Sequence, residues 1–368
     1  MESNQIFEIN ERGVLTKYHE REEVQEITTA DGVAEIHIRL TQITIPKGVV
    51  EIGAKAFEEC LYLKNVVLPD GIKKIGPKAF YKCKKLEKIN LVEGLEILER
   101  SAFEGCLSLK EIEIPDTIYK LSPKIFKECR QLSAVKLPYG IKEIPRYFFD
   151  GCNIKKVEIP DTVETIGAYA FSNTAITEIC IPDSVEIIDN EAFYGCGSLT
   201  EITLPKGLKM MGGYAFCGCK NLKKIDLPDG LIFIGAGAFS SCGIESVNIP
   251  KGIKNIEYRC FADSKLKKIE IPGSVKSIGY GALSRIHSLK ELILYQGIEE
   301  IGEETFAYSI LENDGKGLLI PKSVVKIHEC AFKITRLHRQ VAKLLVYEGS
   351  YAHQYVQKIG LEYEIVKE

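Results

Sequence analysis

Apolar residues recur along this chain with a period of 22 or 23 residues, and each period repeats one phrase. The phrase is most regular from Leu222 to Cys242, where it reads L-K-K-I-D-L-P-D-G-L-I-F-I-G-A-G-A-F-S-S-C. It recurs about thirteen times between Leu40 and Phe332. A repeat of this length buries its apolar face only against its neighbours, so the pattern predicts a solenoid of stacked coils.

Three columns of the repeat define its register. The first is proline, replaced by Val92 and Tyr295, at positions 46, 69, 115, 138, 160, 182, 205, 228, 250, 272 and 321. Eleven residues further on, every copy has phenylalanine except the one with Leu283. Fourteen residues after the first column, eight copies have cysteine, namely Cys60, Cys83, Cys106, Cys129, Cys152, Cys196, Cys219 and Cys242. We expect each column to form a stack through the core.

Within one repeat the pattern predicts two short strands and a turn. Inward Ile225 and Leu227 flank outward Asp226, and Pro228 ends this first strand. A small residue such as Gly230 suits the tight turn that follows, and a second extended segment ends near Gly235. The Ala-Phe-x-x-Cys portion is predicted to make a single helical or 3-10 turn. The coils would then form two ladders of parallel strands.

The chain divides into a repeat region and two caps. We assign residues 1–45 to an N-terminal cap with a truncated coil, because residues 24–36 follow the repeat but lack its Ala-Phe-x-x-Cys part. Residues 46–335 hold the repeats. Residues 336–368 form a C-terminal cap of one helix, with Ser350 as N-cap and Gly360 after its end, and one strand. No Gly/Ser-rich linker interrupts the chain, which indicates one continuous solenoid domain.

The repeat, written L-x-x-I-x-I-P-x-x-V-x-x-I-G-x-x-A-F-x-x-C, resembles that of the BspA-like leucine-rich repeat proteins. The resemblance extends over about residues 24–335. It implies a leucine-rich repeat solenoid that is right-handed and parallel, with two strand ladders. It also implies binding to proteins or extracellular matrix, often at a bacterial or protist surface.

Charge and hydropathy limit the partners. The net charge of −3 and the pI near 6.2 give no general attraction to nucleic acid or to an anionic membrane. No stretch reaches the roughly 20 apolar residues of a membrane span. The first twelve residues lack a basic segment followed by an apolar one, so the expected location is the cytoplasm. The alternative is a cell-surface or secreted protein whose signal has been removed from the sequence.

Candidate chemistry is sparse. No P-loop or nucleophile elbow is present, and the six histidines show no zinc-binding spacing, so we predict no catalytic residue, cofactor or metal. The cysteine column is more consistent with a reduced core ladder than with disulfides, because thiols pack as small apolar groups. Cys217 and Cys219 leave open a thiol-based enzyme or redox sensor.

The outward-facing positions are the candidate interaction surface, since their side chains have no role in the core. One set lies two residues before the proline column: Asn90, Glu113, Lys136, Glu158, Thr203, Asp226 and Asn248. A second set consists of turn tyrosines: Tyr147, Tyr169, Tyr194 and Tyr214. The alternatives are a solvated face of ion pairs for the first set and packing against neighbouring turns for the second.

Three functions follow from these patterns. The leading one is a non-enzymatic solenoid for protein–protein interaction or scaffolding. The alternative, which the resemblance favours, is a bacterial cell-surface adhesin that binds a glycan or host matrix. A thiol-based redox sensor is the third.

Overall fold

The computed structural model describes residues 6–20, 22–29, 32–309, 315–332 and 343–367. The chain forms two compact units, Met1–Val163 (unit 1) and Glu164–Glu368 (unit 2). In each unit, short parallel strands stack coil upon coil, as the repeat predicts. The continuity of the solenoid across the two units stays a prediction, and the junction expected at 335–336 lies outside the described residues.

The described residues of unit 1 form fourteen strands. They are β1 Phe7–Ile9, β2 Val14–Tyr18, β3 Glu22–Thr29, β4 Gly32–Arg39, β5 Gln42–Thr44, β6 Glu51–Ile52, β7 Asn65–Val67, β8 Lys74–Ile75, β9 Lys88–Ile89, β10 Ile97–Leu98, β11 Glu111–Glu113, β12 Lys120–Leu121, β13 Ala134–Lys136 and β14 Glu143–Ile144. The strands before the proline column form the first ladder, in the sheets β5-β7-β9 and β11-β13. Those after it form the second ladder, in the sheet β1-β2-β6-β8-β10-β12.

Unit 2 continues the same alternation and adds one helix among its described residues. Its elements are β15 Thr165–Ile166, β16 Glu178–Cys180, β17 Ile187–Ile188, β18 Glu201–Thr203, β19 Met210–Met211, β20 Phe233–Ile234, β21 Ser246–Asn248, β22 Asn255–Ile256, β23 Lys268–Ile271, β24 Ser277–Ile278, β25 Glu291–Leu294, β26 Glu300–Ile301, β27 Leu318–Leu319, β28 Lys326–Ile327, β29 Leu344–Tyr347, α1 Tyr351–Ile359 and β30 Tyr363–Val366. The first ladder comprises β16-β18, β21-β23-β25 and β27-β29-β30, and the second β15-β17-β19-β20 and β22-β24-β26-β28.

Strand pairing confirms the register read from the proline column. Ile52 pairs with Ile75 and Leu98 pairs with Leu121, so each residue lies beside its equivalent one repeat later. All strand pairs between regular coils of one unit are parallel, which confirms the two predicted ladders.

Stacked phenylalanine rings fill the centre of both units. From Phe57 to Phe149 in unit 1, ring centroids of successive coils are 4.8–6.2 Å apart and the rings are within 13° of parallel. From Phe171 to Phe261 in unit 2 the spacing is 5.2–5.8 Å. These side chains are completely buried, so the column is the axis of the core.

The Ala-Phe-x-x-Cys segment differs from a simple 3-10 turn. In the coil of Phe57, the N–H groups of Ala56 and Glu58 donate to carbonyls three residues earlier, as in a 3-10 turn. Lys55 and Glu59, however, have positive φ angles of 60° and 59°. Their N–H groups and that of Phe57 therefore point along the stack and donate to carbonyls of the next coil at 2.7–3.0 Å. The segment is a third hydrogen-bonded ladder.

The cysteine column has a polar function as well as a packing one. All twelve cysteines are free, and the eight of this column are buried. The column's thiols donate to the carbonyl of the phenylalanine one coil earlier at 2.9–3.2 Å, in Cys83, Cys106, Cys129, Cys152, Cys196 and Cys219. Burial raises the pKa of the Cys106 thiol well above its ordinary value, which keeps it protonated as a donor.

The N-terminal residues differ from the truncated coil that the sequence suggests. β3 and β4 pair as an antiparallel hairpin, from Glu22 opposite Arg39 to Thr29 opposite Gly32. β2 provides the first level of the second ladder instead, because Leu15 pairs with Ile52. Tyr18 then begins the aromatic column, with its ring 5.0 Å from that of Phe57. A coil without the Ala-Phe-x-x-Cys part has no ring for this position, and Tyr18 supplies it.

The C-terminal cap is confirmed. The Ser350 side chain accepts the N–H of His353, and Gly360 adopts the left-handed conformation that ends α1. β30 pairs with β29 in parallel. None of the helical segments in the described ranges is long and apolar enough to cross a membrane.

We predict that Phe193→Ala destabilises the protein by about 3–5 kcal/mol, because it leaves a cavity between the rings of Phe171 and Phe216. The matched control Lys223→Ala removes an exposed side chain and should change stability by less than about 0.5 kcal/mol. Urea denaturation followed by circular dichroism measures both. Equal losses in the two variants would contradict the assignment of the core.

Candidate interaction surface

The outward strand positions are solvent-exposed in both units. In unit 1 these are Asn90, Glu113, Lys136 and Glu158. In unit 2 they are Thr203, Asp226 and Asn248. Their neighbours in sequence alternate with them, so Ile112 beside Glu113 is buried at 5% exposure. The alternation leaves these side chains without a role in the core.

The four unit 1 positions line one groove. The groove has a volume of about 910 Å³ and crosses the coils from Lys88 to Glu158 on the first ladder. Its lining includes Asn90, Glu113, Lys136 and Glu158 together with strand backbone and flanking side chains. The structure thus brings together four of the seven predicted outward residues at a concave site.

Two local features accompany the groove. The first ladder is interrupted, since β9 pairs only with β7, and β11 only with β13, within the described coils. Ser133 and Ala134 lie at its wall, where other coils have pairs such as Lys110 with Glu111 or Lys223 with Lys224. Sequence reasoning missed these two residues. Their small size within a column of long charged side chains was the available signal.

The groove has a charge pair on its surface. The Lys136 Nζ lies 2.6 Å from the Glu113 Oε1, with both side chains largely in solvent. The hydrogen bond from Lys136 to the Glu113 carboxylate raises the pKa of Lys136. Exposed ion pairs contribute little to stability, so both groups are available to other charges at little cost.

The unit 2 positions fit the alternative of a solvated face of ion pairs more clearly. Asp226 accepts from Lys224 at 2.8 Å, and Lys268 lies 3.1 Å from both Glu270 and Glu291. Thr203 and Asn248 lie on the strands β18 and β21. This part of the first ladder is therefore a solvated surface laced with ion pairs.

The four predicted tyrosines have different surroundings. In unit 1, three cations surround the ring of Tyr147: Lys124, Lys127 and Arg146 lie 4.7–5.2 Å from its centroid. In unit 2, the half-buried Tyr169 donates its hydroxyl to Glu191 at 2.5 Å. Tyr147 and Tyr169 are thus engaged with neighbouring turns, as the packing alternative predicts.

Tyr194 and Tyr214 are more exposed. The Tyr214 ring lies across Gly237, where an added Cβ would be 2.3 Å from the ring. Two coils further on, Tyr258 stacks on Tyr280 with centroids 5.4 Å apart and rings within 12° of parallel. Each of these two rings therefore covers one face of the other, and the Tyr280 hydroxyl donates to the Glu304 carboxylate at 3.0 Å.

The sequence profile of the BspA type leucine rich repeat region, with six copies of the repeat, matches residues 34–153, 120–232 and 209–339. The chain belongs to the BspA-type leucine-rich repeat family. Its membership agrees with the parallel solenoid and confirms the resemblance noted in the sequence. No curated protein matches the chain in sequence.

Two solved structures show the same BspA-type fold. A leucine-rich cell surface protein from Faecalibacterium prausnitzii is 24% identical with a TM-score of 0.52, over 90% of this chain and 93% of that protein. The pneumococcal vaccine antigen PcpA is 19% identical with a TM-score of 0.58, over 93% and 88%.

The thiol pair of this BspA-type chain is poorly suited to redox chemistry. Cys219 belongs to the buried column, and burial raises its pKa well above the ordinary value. Cys217 is partly exposed, and burial together with the Glu191 charge raises its pKa too. A reactive thiol needs a lowered pKa because the thiolate is the nucleophile. Both shifts run against the redox-sensor hypothesis.

We predict that a thiol reagent labels the exposed Cys180 fastest in the folded protein and the cysteine column only after unfolding. Cys217 should label slowly at neutral pH and faster as pH rises, because its raised pKa leaves little thiolate. Peptide mass spectrometry assigns each label, and Cys180→Ser should remove the fast phase. Rapid labelling of Cys217 at neutral pH would restore the redox hypothesis.

Proposed function

We propose that this chain is a non-enzymatic protein-interaction module that binds an extended segment of a partner in the groove of unit 1. The observation that carries the proposal is the groove itself, about 910 Å³ on a face whose side chains have no role in the core. Family membership supports a protein-binding role in general.

The chemistry of the lining favours binding over catalysis. The lining residues include no histidine or cysteine, and they offer Glu113 and Lys136 as an exposed pair of opposite charges. A partner segment with one acidic and one basic side chain can replace that pair.

We predict that Ala134→Arg, which places a long side chain in the groove, abolishes partner binding. Peptides selected from a displayed random library against the wild-type protein should lose at least about tenfold in affinity for Ala134→Arg, or 1.4 kcal/mol. Binding is measured by fluorescence anisotropy with purified proteins.

The matched control is Ser246→Arg, which makes a similar change at the equivalent register of unit 2, four residues before the proline column. It should leave peptide binding unchanged. The proposal fails if every selected peptide binds the wild-type protein and Ala134→Arg equally. It also fails if Ser246→Arg weakens binding as much as Ala134→Arg.

A second candidate is an adhesin at the cell surface. It is supported by the description of one structural relative as a cell surface protein and of another as a vaccine antigen. On this hypothesis the partner is a host matrix protein or glycan, and Tyr194 and Tyr214 are the exposed aromatic contacts. Tyrosine to serine variants at these two positions should then reduce binding to immobilised matrix or a glycan array.

Location separates the two candidates. Brief protease treatment of intact native cells should release peptides of this chain if it is at the surface, while a cytosolic marker stays inside. If the treatment releases neither peptides of this chain nor the cytosolic marker, the result favours the interaction module within the cell.

A further inference from the structure

Two neighbouring coils of unit 2 bring three metal-ligating side chains together. They are Glu303 in one coil and His328 and Cys330 in the next described coil, and one ligand atom of each lies within 4.8 Å of the others. The Glu303 Oε2 is 3.9 Å from the His328 Nε2. Glu303 and His328 are exposed and Cys330 is partly exposed, so an ion can reach all three.

The backbone of the solenoid fixes this arrangement. The His328 N–H donates to the Ile301 carbonyl at 3.0 Å, and the Glu304 N–H donates to the Cys330 carbonyl at 3.2 Å. The first bond continues the second ladder, and the second belongs to the third ladder. Glu303 is therefore held against the His328–Cys330 turn by the same bonds that stack every other coil.

None of the three side chains serves the core. His328 occupies a column that has glycine in seven coils, including Gly235, Gly279 and Gly302. Cys330 lies outside the buried cysteine column, in the turn position that Tyr147 and Tyr214 occupy elsewhere. The repeat has no structural need for an imidazole and a thiol at these places.

We propose that Glu303, His328 and Cys330 bind a divalent cation of the zinc type. A carboxylate, an imidazole and a thiolate are all zinc ligands, and ligands of one tetrahedral zinc ion lie roughly 3.3–3.8 Å apart when bonds are about 2.0–2.3 Å. Small rotations of exposed side chains close the present distances to that range. Thiolate and imidazole together select zinc, cobalt or copper over magnesium and calcium.

Binding releases one proton. The Cys330 thiol loses its proton to solvent as it becomes the thiolate ligand, and Glu303 binds through its carboxylate. The His328 Nδ1 now accepts the Cys330 N–H at 3.2 Å, which leaves the ring proton on Nε2. Coordination through Nε2 moves that proton to Nδ1 and breaks this hydrogen bond, because a protonated Nδ1 cannot accept the Cys330 N–H. The occupied site is electrically neutral.

The fourth coordination position is open to water. Glu303 and His328 also line a groove of about 550 Å³ between the second ladder and α1, where Tyr351, Gln354 and Lys358 form the opposite wall. Three protein ligands with a fourth position for water are the arrangement of reactive zinc sites, whereas structural sites use four protein ligands.

Cobalt(II) tests the site, because a cysteine thiolate bound to cobalt gives a charge-transfer band in the near ultraviolet. Titration of the reduced full chain with CoCl2 should produce this band with saturation at one equivalent, and added ZnCl2 should abolish it. Cys330→Ser should remove the band, and the control Cys180→Ser, at another exposed thiol, should keep it. Glu303→Gln and His328→Gln should each weaken cobalt binding at least about tenfold.

The proposal is overturned if the wild-type protein shows no saturable band or if Cys330→Ser retains it. Thermal unfolding of each variant checks that the fold is unchanged.

Discussion

The third ladder of hydrogen bonds is the constraint on which the structure depends. In unit 1 the Phe57 carbonyl accepts both the Cys60 N–H of its own coil and the Cys83 thiol of the next. Left-handed residues such as Lys55 cost roughly 1–2 kcal/mol each, and the inter-coil bonds that they open offset this cost. The core column is thus apolar at its centre and hydrogen-bonded from coil to coil along its edge.

This arrangement explains which changes the repeat tolerates. In place of a column cysteine, Ser309 donates to the Leu283 carbonyl one coil earlier, as the thiols do. Thr174 instead donates to the Phe171 carbonyl of its own coil. The column therefore accepts small hydrogen-bond donors, and a thiol is the most apolar of them, but it does not require one, because Ile286 occupies the same position and the buried Ser264 hydroxyl has no partner. The buried thiols are structural groups, because a raised pKa keeps thiols such as Cys106 protonated as hydrogen-bond donors.

Periodicity alone predicted the ladders, the two stacked columns and the helical cap, because each follows from side-chain spacing. It could not reveal the left-handed conformation of Lys55 or Tyr147, since neither residue type favours positive φ. The hairpin of β3 and β4 was missed because its residues match the repeat up to Ile36. The groove was missed because Glu113 and Asp226 occupy equivalent positions of the repeat, and among the flanking residues only the small Ser133 and Ala134 distinguish the unit 1 site from the lysine pair Lys223 and Lys224.

A local motif search also overlooks sites that stacking creates. In a solenoid, residues close in space to a given turn also lie one repeat away, so a ligand such as Glu303 can join His328 and Cys330 from a separation near the repeat length. Glu303 and His328 face each other from adjacent coils. They are 25 residues apart in sequence because this coil has 26 residues between the equivalent positions Tyr295 and Pro321. Departures from the repeat should therefore be compared between adjacent coils. By that comparison, His328 in a glycine column and Cys330 outside the cysteine column become visible from the sequence.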